Sequence, residues 1–147
     1  MSSPTNSAPT LVLHIVSAHE QVFSGEVSMV SVASVQGELG ILPRHTPLMT
    51  LLNPGEARLK LPNGEYEYIY VSGGMMEVQP HEVTILADTV LRGEQIDKQA
   101  ALEAKRRAEE VIRTSILYTD RDHARVELMK ALAQLRTLND SQWKRKR

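Results

Sequence analysis

The 147-residue sequence has no cysteine. Disulfides, thiolate metal sites and cysteine nucleophiles are therefore excluded together, and the composition fits a reducing compartment. Aromatic residues are scarce, with one Phe, one Trp and four Tyr. No apolar run approaches the roughly 18 to 20 residues needed to span a bilayer. From Glu94 to Arg147 there is neither glycine nor proline. The phosphate-cradling Gly-x-x-x-x-Gly-Lys-Ser/Thr and the Gly-x-Gly-x-x-Gly that follows a strand are both missing. Ser72 lacks the Gly-x-Ser-x-Gly elbow of a serine hydrolase. The histidines, His14, His19, His45, His81 and His123, are scattered without zinc-site spacing. No catalytic residue, metal site or cofactor is expected.

What is present divides in two. Hydrophobic residues make up 41% of the chain, enough for one compact domain of about 90 residues with an appendage. Up to Gly93 there are four Lys/Arg against nine Asp/Glu, a net of −5; from Glu94 onward the net is +4. An acidic front and a basic back suit two parts that meet different surfaces, or each other, though ordinary solvated faces would also produce it. Residues 1–10 are Ser, Pro, Thr, Asn and Ala with no basic start and no apolar stretch. They are expected to be a disordered extension rather than a signal peptide.

Residues 11–93 have the punctuation of short strands. Leu11 to Val16 is a β-branched run, Ser24-Gly25 a turn, and Val27 to Val35 an alternating strand with one wet face. Ala57, Leu59 and Leu61 alternate with charges, and Asn63-Gly64 supplies the positive-φ pair of a type I′ hairpin. The returning strand carries Tyr66, Tyr68 and Tyr70, and further strands lie at Met75 to Val78 and Val83 to Ala87. Eight or more such strands indicate an antiparallel sandwich or flattened barrel. Gly37 to Leu48, with Gly37, Gly40, Pro43 and Pro47, is a stiff apolar loop that turns Glu38, Arg44 and His45 outward. It is either a tight corner between strands or a presentation loop for a partner.

After Gly93 the period shifts to about 3.6. Ile96, Ala100, Ala104, Ala108 and Val111 or Ile112 form a thin stripe on a first helix, with Glu103–Arg107 and Glu109–Arg113 as i,i+4 pairs. Thr119 offers an N-cap for a second helix, with Leu128, Ala131, Leu132, Leu135 and Leu138 along one side. Residues 94–139 thus read as an αα-hairpin, and 140–147 as a frayed basic tail. A seam of alanines buries little area, so the hairpin is a plausible moving part. Its Lys and Arg are interleaved with Glu and Asp, which argues against a pure nucleic-acid patch. A free-standing sandwich module whose hairpin grips nucleic acid is the alternative function.

Several strings resemble the epsilon subunit of bacterial F-type ATP synthase. They are Phe23-Ser24-Gly25-Glu26-Val27, Gly37 to Leu48, Val71-Ser72-Gly73-Gly74, Glu77-Val78-Gln79-Pro80, Val83 to Thr89 and Glu103 to Glu110, and the resemblance runs colinearly from Leu11 to Leu138. It implies a ten-stranded sandwich followed by an αα-hairpin, in a non-catalytic rotor subunit of the central stalk. The expected partners are the gamma subunit, the c-ring and, when the hairpin extends, the alpha and beta catalytic subunits. The expected place is peripheral, on the cytoplasmic face of the bacterial inner membrane, with no bilayer insertion and no nucleic acid.

By the same resemblance Glu38 and Arg44 would contact the c-ring, and Ser17, His45 and Thr50 the gamma subunit. Arg44 stands where the family commonly has glycine, and would meet an acidic or carbonyl-rich patch on gamma or the ring. A docked hairpin permits turnover; an extended one blocks rotation through Arg121, Arg125, Lys130 and Arg136, which face an acidic loop of beta. Some members bind ATP on the hairpin. Ile96, Asp97, Ala101, Arg107 and Arg136 match that motif, but Ala100 and Leu132 replace two of its arginines, so a nucleotide would be held weakly here.

Overall fold

The computed structural model describes residues 9–145. Ten strands come first: β1 Leu11–Val16, β2 Gln21–Val27, β3 Met29–Ser34, β4 Gly37–Ile41, β5 Leu48–Leu52, β6 Gly55–Lys60, β7 Tyr66–Val71, β8 Gly74–Val78, β9 Glu82–Ala87 and β10 Val90–Arg92. A 3-10 turn, Gly93–Gln95, leads into α1, Lys98–Thr114, and α2, Tyr118–Arg145. The fold is the expected sandwich with a C-terminal helical hairpin.

The strands follow the order β10-β7-β6-β3-β5-β8-β9-β1-β2, with β4 paired to β3. β3 and β5 touch through a single pair, Ser34 opposite Leu52. The path therefore folds there into two layers, β10-β7-β6-β3-β4 and β5-β8-β9-β1-β2. All other pairs are antiparallel except β1–β9, which is parallel and ties the first strand to the ninth. Alternation decides which side chains go in. Leu11, Leu13 and Ile15 from β1, Val30 and Val32 from β3, and Val83 and Ile85 from β9 fill the space between the layers with Leu59, Ile69, Met76 and Val78.

Three local expectations are overturned. Ser24-Gly25 is not a turn: β2 runs through it and pairs continuously with β1, and the chain breaks at Ser28 instead. Gly37–Ile41 is a strand rather than a loop, because β3 lends it a full ladder that outweighs its two glycines. The connection proper is confined to residues 42–47. At Asn63-Gly64 only Gly64 has a positive φ, 89°, so the turn is not type I′. Gly64 N donates to Leu61 O, and Asn63 Oδ1 accepts from Glu65 N, which satisfies the loop locally.

The hairpin also differs. α2 starts at Tyr118, so Thr119 lies inside the helix and is not its N-cap. Ala101, Ala108, Ala124 and Ala131 make the buried seam, while Ala100 and Leu132 face outward. Arg113 pairs with Glu110 rather than Glu109, and Glu103 takes both Arg106 and Arg107. The expected frayed tail is helical as far as Arg145, because sandwich contacts continue past Leu138. The N-terminal extension expected over residues 1–10 lies outside the described residues except for Pro9 and Thr10.

Candidate functional site

Two surfaces carry the unusual chemistry: an apolar ladder on the sandwich, and the contact between sandwich and hairpin. In β5, Thr50 and Leu52 turn inward, which sends Met49 and Leu51 out to 63% and 59% exposure. Leu51 stands opposite Met75 in β8, Met75 opposite Leu86 in β9, and Leu86 opposite Val16 in β1. This apolar row crosses four strands without cover. With Ser17, Ala18 and Asp88 it lines a shallow depression of about 480 Å³. Large apolar rows on a sheet face mark contact surfaces. Periodicity could have found it: Leu-Met-Thr-Leu-Leu and Gly-Met-Met-Glu-Val place apolar residues on both faces.

The expected contact residues are spread around the sandwich. Ser17 lies at the β1–β2 turn, and its Oγ accepts from His19 N and Glu20 N while donating to Glu20 O. Thr50 is only 9% exposed and its hydroxyl donates to Leu51 O, so Met49 and Leu51 are what β5 presents. His45 Nδ1 donates to Thr46 O at 2.7 Å. Arg44 has φ 67°, the left-handed region, with its N–H donating to Pro80 O at 2.7 Å. That geometry supplies a reason for glycine at this position.

Glu38 and Arg44 do not share a patch. Glu38 pairs with Ala33 beside the β3–β4 turn, whereas Arg44 follows the far end of β4, against the β8–β9 turn. Arg44 belongs with His45.

On the other surface, α2 lies over β6 and β7. Tyr70, Ile96 and Ala133 are buried together with Leu91 and Leu138 against them. Burial pushes the Tyr70 hydroxyl up from its ordinary value, against a hydrogen bond from Gln134. Thr137 is fully buried, and its Oγ1 donates to Ala133 O at 2.8 Å. Lys144 Nζ meets Glu67 Oε1 at 2.7 Å. Arg136 Nε lies 3.7 Å from Glu56 Oε1, which also accepts from Arg58 Nε at 3.0 Å. Burial first, and Asp140 beside it, push the Glu56 carboxyl up to about 7, while Arg58 and Arg136 pull it down. Sequence reasoning missed Glu56, which reads as one more strand-face charge.

The four cations expected to act from the hairpin are not a bare basic face. Arg125 pairs with Asp122, Lys130 with Glu127, and Arg136 with Glu56 and Asp140. Arg121 is half-buried, with no partner for its buried Nε. The nucleic-acid alternative loses its footing on this neutralised surface.

Nor do the ATP-motif residues converge. Ile96 is buried under α2, and Asp97 caps α1 by accepting from Ala100 N at 3.1 Å. Arg107 lines an interhelical cavity of about 430 Å³ with Asp120, His123 and Glu127. Arg136 lines a different one, about 230 Å³, with Leu132 and Glu56. Among the described residues no group of three or more His, Asp or Glu could hold a metal, and no helix is long and apolar enough to cross a membrane.

Comparison with known proteins fixes the lineage. A family model described as ATP synthase, Delta/Epsilon chain, beta-sandwich domain matches residues 10–93, and its companion, the long alpha-helix domain, matches residues 94–139. The chain belongs to the ATP synthase delta/epsilon family. A protein named ATP synthase epsilon chain from Halorhodospira halophila is 51% identical over 140 residues, covering 94% of this chain and 99% of that protein. Another of the same name from Nitrosococcus oceani is 50% identical, covering 89% and 94%. A chain in the Euglena gracilis mitochondrial ATP synthase structure, OSCP/F1/c-ring in rotational state 1, shares the fold with TM-score 0.78 at 21% identity, covering 93% of this chain and 87% of that one. One from the Tetrahymena thermophila central stalk/c-ring structure has TM-score 0.62 at 10% identity, covering 90% and 99%. In this delta/epsilon chain the two family regions abut at Gly93, where the last strand ends and the helical half begins.

Proposed function

We propose that this chain is the epsilon subunit of a bacterial F-type ATP synthase, a rotor part of the central stalk with no active site of its own. The observation that carries it is identity of about half over nearly the whole length of proteins named ATP synthase epsilon chain. The sandwich supplies a stiff body. Its uncovered row of Leu51, Met75, Leu86 and Val16, flanked by Ser17 and with exposed Met49 further along β5, is the surface best suited to the gamma subunit. His45 and Arg44 extend that contact from the opposite end, while exposed Glu38, at the β3–β4 turn and on the rim of the cavity under α2, is the residue offered to the polar loops of the c-ring. Such a subunit sits peripherally on the cytoplasmic face of the inner membrane, held there by its partners.

The hairpin is the regulatory part. It is docked here through alanines, one tyrosine and a few ion pairs. Contacts of that size differ from an undocked state by only a few kcal/mol, within what a partner can supply. Extension carries Arg121, Arg125, Lys130 and Arg136 toward the catalytic subunits and stops rotation; docking lets it proceed.

Affinity purification of the chain from its native membranes tests the assignment: gamma and the catalytic subunits must accompany it, and their absence overturns it. Truncation after Gly93 tests the brake. ATP hydrolysis by the assembled complex should rise, and an unchanged rate would leave the hairpin idle.

A further inference from the structure

Glu56 is buried where β6 meets α2, with its side chain 1% exposed. Its Oε1 is engaged by Arg58 and Arg136. Its Oε2 is equally buried and has no hydrogen-bond donor. The group beside it is a second carboxylate, Asp140 of α2, whose Oδ2 lies 4.0 Å from the same Arg136 Nε that Glu56 faces at 3.7 Å. Two carboxylates are acceptors only, so the contact between them becomes a hydrogen bond when one of them carries a proton.

We propose that Glu56 and Asp140 form a single-proton latch between the sandwich and the hairpin. With the proton bound, Oε2 is satisfied and α2 stays docked. Without it, two negative charges share one buried contact and docking weakens.

The surrounding groups are consistent with this. From β6, Arg58 spends its bond on Oε1; from α2, Arg136 lies between the two carboxylates. From β7, the Tyr68 hydroxyl is pushed up by burial and then by Asp140, so it remains neutral. Glu38 of β4 lines the same cavity and adds negative charge. The two arginines offset part of that charge, yet neither donates to Oε2.

The pH dependence has a definite sign. Released into water, Glu56 returns to its ordinary value of 4.5, whereas docking raises it to about 7. Docking therefore takes up a proton between these limits. The latch contributes in full below the lower value, and its contribution is lost as pH rises through the upper one. This rests on the reading that the hairpin alternates between docked and extended postures. Acidification on the side where the chain sits would then hold the brake off and favour proton export driven by ATP hydrolysis.

The chain has no native cysteine, so Glu77→Cys and Gln142→Cys, both at exposed positions, allow spin labels on β8 and α2 of the full-length protein. Pulsed electron-spin distance measurement gives the docked fraction at each pH. The docked-to-undocked ratio should fall about tenfold or more between roughly pH 5 and pH 7.5, because a proton taken up on docking changes that ratio by up to about tenfold for every step of one in pH. Glu56→Gln removes the titrating group and places a permanent amide donor at the contact, so it should flatten the curve with the hairpin docked. Asp140→Asn leaves Glu56 buried but offers its ionised form a donor, and should move the curve to lower pH. Asp140 is only partly buried, so its variant serves even where Glu56→Gln impairs folding. A pH-independent docked fraction in the parent chain overturns the latch, as does an unaltered pH curve in Asp140→Asn. Gly93→Ala, whose added Cβ would run into Ser141 of α2, separates the two readings: where the latch fails but this variant frees the hairpin, the mobile-hairpin reading survives, and where neither pH nor this variant moves it, both fall.

Discussion

Ser141 occupies the space that a side chain on Gly93 would need. A Cβ at Gly93 would lie 2.5 Å from the Ser141 Cβ and nearer still to its Oγ, closer than packed atoms come. The glycine at the junction is therefore a seat for α2 rather than a flexible joint.

Gly93→Ala should push α2 off the sandwich. Overpacking at such a contact costs about 1 to 3 kcal/mol, or roughly a fivefold to 150-fold shift toward the undocked hairpin. Faster amide exchange along α2 with unchanged exchange in β1 and β9 would show it. In the assembled complex ATP hydrolysis should fall, opposite to the effect of truncating after Gly93.

Arg44→Gly should be neutral or stabilising. An L-residue in the left-handed region costs about 1 to 2 kcal/mol, and the greater freedom of glycine in the unfolded chain takes back roughly 0.5 to 1 of the relief. Denaturant unfolding should give a gain between about zero and 1.5 kcal/mol. If the variant nonetheless weakens assembly, the guanidinium is touching a partner.

Leu51→Asp should leave folding almost untouched, within about 0.5 kcal/mol, because the side chain is already 59% exposed. Binding to the gamma subunit should weaken at least about tenfold, as expected for a charge set into an apolar contact. Titration calorimetry with purified gamma reads both affinity and stoichiometry. Equal affinity would move the gamma contact elsewhere on the sandwich.

ATP should produce no binding heat with the isolated chain at micromolar concentrations. Asp97 is committed to capping α1, Ile96 is buried, and Arg107 and Arg136 line separate cavities. Saturable heat would mean that the helices rearrange around the nucleotide.

The strands of the core were legible because Leu11, Leu13 and Ile15, or Val30 and Val32, alternate without interruption. β4 was not, since Gly37, Gly40 and Pro43 punctuate the chain where only a neighbouring strand supplies the ladder. α2 misled for a different reason. Ala124 and Ala131 lie in its seam with α1, while Ala133 and Thr137 are buried on the sandwich side, so no single period describes it. Lys144 reaches a carboxylate 77 residues earlier in the chain, and nothing in the local residues of the tail announces that. Glu56 was invisible on the same ground: what buries it arrives from the last helix. The family resemblance carried the architecture further than periodicity could, yet it placed Arg44 with Glu38, and the strand register separates them.

The parallel pairing of β1 with β9 has a consequence for biosynthesis. β1 is made long before β9 and has no partner along one edge until the chain has emerged as far as Leu86, so nascent chains shorter than that remain open to proteases and to neighbours. Once β9 zips into place β1 is held along both edges, β10 then joins β7, and the two helices are added last.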